Sequence, residues 1–76
     1  MIEELERVVL LIDLPEHGLQ GGDVGTIVLV HRRGEAYEVE FMALNGDTIA
    51  VTTLDSAQIR RVHEREVAHA RTVEAA

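Results

Sequence analysis

"YEVEFMALNGDTIAVTT", residues 37–53, decides the fold. Apolar and charged residues alternate from Tyr37 to Phe41, the period of a strand with one face on a core and the other in water. Tyr37, Val39 and Phe41 are therefore expected to point inward, and Glu38 and Glu40 outward. Asn45-Gly46 follows within "ALNGDT". An Asn-Gly pair between two such runs is the strongest local signal for a tight hairpin, because both residues tolerate positive φ. The second run, "TIAVTT", is rich in β-branched residues and returns antiparallel to the first, with Ile49 and Val51 completing the inward row.

Upstream, Val24 to His31 has the composition of another strand, and "HRRGEA" makes a polar turn into Tyr37. Before it, "DLPEHGLQGGD", residues 13–23, is loop sequence: Pro15 fixes one dihedral and the glycines supply positive φ. The expected path is an irregular excursion over the surface. So many glycines beside a strand also raise the question of a phosphate-binding loop. That chemistry needs a Lys followed by Ser or Thr at a helix start, or a helix after the glycines; here no Lys is present and a β-branched strand follows. Gly21 and Gly22 are assigned to a turn, Asp23 to accepting hydrogen bonds from neighbouring amides, and Gly25 to a close approach or bulge in a curved strand. The earliest strand is the apolar run Arg7 to Ile12, ended by Asp13 and Pro15.

Downstream, "LDSAQIRRVHEREVAHARTVEAA", residues 54–76, fits two readings. In the first, Asp55 to Gln58 is one tight helical turn, Ile59 to Val62 a last short strand, and the rest a helical or frayed tail. In the second, a single helix runs from Ser56 to Ala75. Ile59, Val62, Val67, Ala70 and Val73 make only a weak helical stripe, which favours the first. The order of strands and turns then suits a mainly β protein: a five-stranded SH3-like barrel over residues 1–62, with a C-terminal helical or frayed tail over 63–76.

"DLPEHGLQGGDVGTIV", "GEAYEVEF" and "NGDTIAVTTL" together resemble the small bacterial proteins grouped as domain of unknown function 4926, across Val8 to Val62. "GDVGTIV" is also similar to the start of KOW-type and nitrile-hydratase-β-like SH3 barrels. The resemblance implies a fold and leaves activity open. In size and charge such proteins look similar to antitoxins and immunity proteins.

Composition narrows the function classes. A chain of 76 residues forms one domain with a thin core and little room for a deep cleft. Without cysteine it has neither disulfides nor thiolate metal sites, and its acidic amino terminus and short apolar runs suit neither a signal peptide nor a membrane span, so the cytoplasm is expected. Fourteen acidic residues against seven arginines give a net charge of −7, which opposes nucleic-acid binding and favours a basic protein partner. His17, His31, His63 and His69 include no pair at the i, i+4 spacing of a helical zinc motif, so neither a metal nor a cofactor is expected. Ser56 lacks the context of an activated nucleophile, and an enzyme is the least favoured class.

Two charge groups remain. Glu35, Glu38 and Glu40, joined across the hairpin by Asp47, form an acidic strip suited to docking a basic protein. Arg32-Arg33 and Arg60-Arg61, if brought to one end of the barrel, would instead hold phosphate in the manner of an RNA- or ribosome-associated KOW-like barrel. Only Tyr37 and Phe41 are aromatic and both are expected in the core, leaving no exposed ring for stacking bases. The tail is a candidate contact with a second copy of the chain, and an accessory structural role in a larger complex is the third alternative.

Overall fold

The computed structural model describes residues 1–74. Its five strands are β1 (Arg7–Leu10), β2 (Val24–His31), β3 (Ala36–Met42), β4 (Thr48–Asp55) and β5 (Ile59–Arg61), with a 3₁₀ turn at Pro15–His17. All pair antiparallel in one sheet of order β4-β3-β2-β1-β5. Among the described residues no ladder joins β4 to β5, so the sheet has these two strands as its edges.

The alternation in β3 is realised as expected: Tyr37, Val39 and Phe41 are buried, while Glu38 and Glu40 lie on the opposite face. They pack with Val8, Leu10, Ile27, Leu54 and Ile59 into one core on the inner side of the sheet. The inward row of β4, however, differs from the expected one. Phe41 stands opposite Ala50 but Met42 opposite Thr48, so Ile49 is an extra residue in β4. This bulge turns two consecutive residues, Ile49 and Ala50, toward the core and reverses the alternation beyond them. Ala50, Thr52 and Leu54 oppose Phe41, Val39 and Tyr37, and Val51 faces outward, 52% exposed. A second irregularity in β2 makes Val28 the extra residue between Ile27 and Leu29, and both Val28 and Leu29 are exposed.

The loop from residue 11 to 23 does more than cross the surface. Leu14 and Leu19 exchange backbone hydrogen bonds, 2.9 and 3.1 Å, on either side of the 3₁₀ turn, and this small hairpin delivers Leu19 into the core at 3% exposure. Gly18, at φ +70°, closes the turn. Gly22, at φ +99°, donates to the Leu10 carbonyl and leads back into β2. Gly25 is required for space: a Cβ there would lie 2.6 Å from Val39 and 2.9 Å from Phe41.

Asp55 to Gln58 is the single tight turn of the favoured reading. The Ala57 amide donates to the Asp55 carboxylate at 2.8 Å, and the Asp55 amide donates to the Gln58 side chain at 2.9 Å. This reciprocal capping reverses the chain into β5 without starting a helix. Of the two forms expected for the tail, helical or frayed, the helical one is not formed: residues 62–74 contain no helix, and residues 75–76 lie outside the described residues. The physical reason is the weak stripe. Ile59 is taken by β5 and Val67 is 93% exposed, so no continuous apolar face remains to hold a helix down. The segment instead runs back to the long loop, where Arg71 pairs with Asp23 and donates to the Gly18 carbonyl at 3.0 Å.

Candidate functional site

The outward face of β2, β3 and β4 carries the most organised set of polar groups. Alternation along β3 places Glu38 and Glu40 there, and the register sets their neighbours: Leu29 and Thr53 flank Glu38, while Thr26 and Val51 flank Glu40. One oxygen of Glu38 accepts hydrogen bonds from the Thr53 hydroxyl at 2.5 Å and from His31 Nε2 at 2.7 Å. Those two bonds, Thr53 first and His31 second, hold the Glu38 carboxyl below its usual range. Glu40 accepts from the Thr48 hydroxyl at 2.7 Å. Each carboxylate is thus fixed in direction by a threonine on β4 while its other oxygen takes no side-chain hydrogen bond among the described residues.

The acidic strip is therefore partly assembled. Glu35, in the turn between β2 and β3, lines a shallow depression with His31, Arg32, Glu38 and Thr53. Asp47 sits at the other end of β3 and is taken up by its own turn, where its amide donates to Asn45 Oδ1 and its carboxylate accepts from Asn45 Nδ2. Around the two glutamates the face is apolar, with Leu29, Met42 and Val51 about half exposed.

The four arginines are not brought together. Arg60 and Arg61 pair with Val9 and Val8 of β1, whose partners are at the start of β2, whereas Arg32 and Arg33 follow its end. Arg60 holds Glu66 through two bonds of 2.8 and 2.6 Å, and Arg61 holds Glu6 at 2.9 Å. The Arg60 guanidinium, followed by the His63 backbone amide, lowers the Glu66 carboxyl to about 2. A phosphate would have to displace these carboxylates. Arg32 and Arg33 make no ion pair among the described residues, and both adopt positive φ, +45° and +58°, in a turn closed by the Gly34 amide on the His31 carbonyl.

Asp23 accepts the Gln20 amide at 2.8 Å, as a turn aspartate should, and Gly21 donates to Asp13 at 2.9 Å. The Arg71 contact has no local signal, since its partner lies 48 residues away. Burial alone would raise the Asp23 carboxyl; the Arg71 and Gln20 hydrogen bonds and the Arg71 charge outweigh it and lower the carboxyl. Among the histidines, His31 is engaged with Glu38 and His63 lies 3.9 Å from Glu66. Among the described residues no three His, Asp or Glu side chains converge as a metal site, and no helix is long and apolar enough to cross a membrane.

Comparison with known proteins gives one match. The family model described as Domain of unknown function (DUF4926) covers residues 4–61, which takes in all five strands and stops at the start of the tail. No curated protein and no solved structure matches the chain.

Proposed function

The chain belongs to the family described as Domain of unknown function (DUF4926), and from that premise, which carries no activity, we propose that it is a non-catalytic protein-binding module for a basic partner, in the manner of an antitoxin or immunity protein. The observation that supports this reading is the pair Glu38 and Glu40, oriented by Thr53 and Thr48 and set among exposed Leu29, Met42 and Val51. Preset charges on an apolar ground are what a specific docking face needs. The charges speed and orient encounter, and the apolar area gives the contact its strength. A net charge of −7 extends the attraction beyond the face itself.

A second reading, an RNA- or ribosome-associated module, draws on Arg32 and Arg33 alone, which make no ion pair among the described residues, since Arg60 and Arg61 are engaged elsewhere. Affinity capture from native extract, with and without nuclease, separates the two. The docking reading expects one basic protein retained in stoichiometric amount after nuclease, and its loss when Glu38→Lys and Glu40→Lys are combined. Retention unchanged by the double reversal counts against the docking face. Recovery of RNA, or of ribosomal proteins that vanish with nuclease, moves the assignment to Arg32 and Arg33.

A further inference from the structure

Beside the acidic face lies a feature that the docking reading does not use. β4 is an edge strand of eight residues, and beyond its ladder with β3 no hydrogen bond reaches the backbone of residues 48–54 among the described residues. It carries neither proline nor lysine, two of the devices that keep an edge from pairing, and its one bulge, at Ile49, leaves Ala50 to Asp55 in regular register with β3. Its first two residues, Thr48 and Ile49, are partly screened by the loop around Pro15–Gly18 and by Val73. Ala50 to Asp55 are left open.

We propose that β4 takes up one further strand from the partner, an extended segment in which lysine or arginine alternates with apolar residues. This rests on the docking reading and specifies it. Strands in a sheet lie roughly 4.8 Å apart, so a strand added beside β4 would run about 9.6 Å from β3, where Glu38 and Glu40 project. A basic side chain laid across β4 spans that gap together with a glutamate, its stem covering Val51 and its head in the water-facing layer. Glu38 and Glu40 are two residues apart on one strand, so the matching basic residues recur at every second position. The intervening side chains turn to the inner side, against half-buried Ala50 and Thr52, and are apolar. A second copy of this chain does not meet the description. Residues 48–55 contain no basic residue and end in Asp55, and each copy carries a charge of −7.

The test uses the full chain and a short labelled peptide of alternating lysine and valine, followed by fluorescence anisotropy and by amide chemical shifts. Strand addition engages every second backbone amide of the added strand. Two further peptides are therefore N-methylated, one on each alternate set of amides. The expected result is that one methylated peptide binds at least tenfold more weakly while the other binds as the parent does. Shifts should concentrate in residues 50–55, and Glu38→Gln with Glu40→Gln should lower affinity at least tenfold. If both methylated peptides bind like the parent, strand addition is overturned even where the glutamate variants weaken binding, and charge docking survives alone. A peptide that fails to bind, while the whole protein still captures a basic partner through Glu38 and Glu40, overturns the added strand and not the docking face. Binding that ignores both methylation and the glutamates overturns the two together.

Discussion

The two edges of this sheet are built in opposite ways. β5 is three residues long, and Arg60 both grips Glu66 and donates to the Arg61 carbonyl at 3.0 Å, so the outgoing chain is pinned beside the strand. β4 is eight residues long and, among the described residues, has no such attachment. Short length and attached charges are among the ways natural sheets prevent unwanted pairing, and here they belong to β5; β4 is protected only at its start, by the bulge at Ile49 and the loop beside Thr48 and Ile49. The contrast teaches that edge protection in this chain is uneven, and the stretch from Ala50 to Asp55 is where the proposed strand addition has its footing.

The contrast holds only while both edges belong to one sheet, and the seam between the halves is the β1–β2 ladder, in which Val8 opposes Gly25. Gly25→Val forces methyl groups into Val39 and Phe41 of β3, so the start of β2, which carries β1 on its other side, is pushed off the core that both edges share, at a cost of about 3 kcal/mol or more. Chemical denaturation measures it; an unchanged midpoint would show that the packing around Gly25 is looser than the geometry implies. Arg71→Ala sharpens the contrast by releasing the tail from Asp23. It should lower Tm by a fraction of the Gly25→Val effect and accelerate amide exchange in residues 62–74, leaving exchange in Ala50 to Asp55, beyond the reach of Val73, unaltered.

The smallest effect is electrostatic and sits at the protected edge. The Glu66 carboxyl is lowered from 4.5 to about 2 in the fold, so its contribution is present above pH 4.5 and fades as pH falls from there toward about 2. Glu66→Gln should therefore be less stable than the parent at neutral pH, with the difference shrinking through that interval. Urea midpoints at several pH values check this, and a difference that stays constant in acid would assign the loss to something other than the Arg60 pair.

Local chemistry made much of this legible. Tyr37, Val39 and Phe41 declare their face by period, Asn45-Gly46 declares its turn, and Asp55 with Gln58 declares a capped reversal, because each needs only residues close in sequence. Glu38 and Glu40 were legible for the same reason. What escaped depends on register or on distance. The bulge at Ile49 turns Val51 outward, and an extra residue leaves no trace in an alternating pattern until the partner strand is known. Leu19 reads as loop because its neighbours are glycines and a proline, yet the hairpin with Leu14 carries it inside. Thr53 and Thr48 became the holders of the two carboxylates only through the β3–β4 register.

One feature of the sheet order bears on how the chain reaches this state. β1, β2, β3 and β4 are neighbours both in sequence and in the sheet, whereas β5 returns to the far side of β1, pairing Arg61 with Val8 at the opposite end of the meander. Contacts so distant in sequence form late, because a long loop must close before they stabilise anything. The four-strand meander is therefore expected to assemble first and the β1–β5 ladder to set the folding rate. During synthesis β5 is the last of the five strands to emerge, so the nascent protein carries β1 with an unpaired side until Ile59 to Arg61 have been made and have left the ribosome.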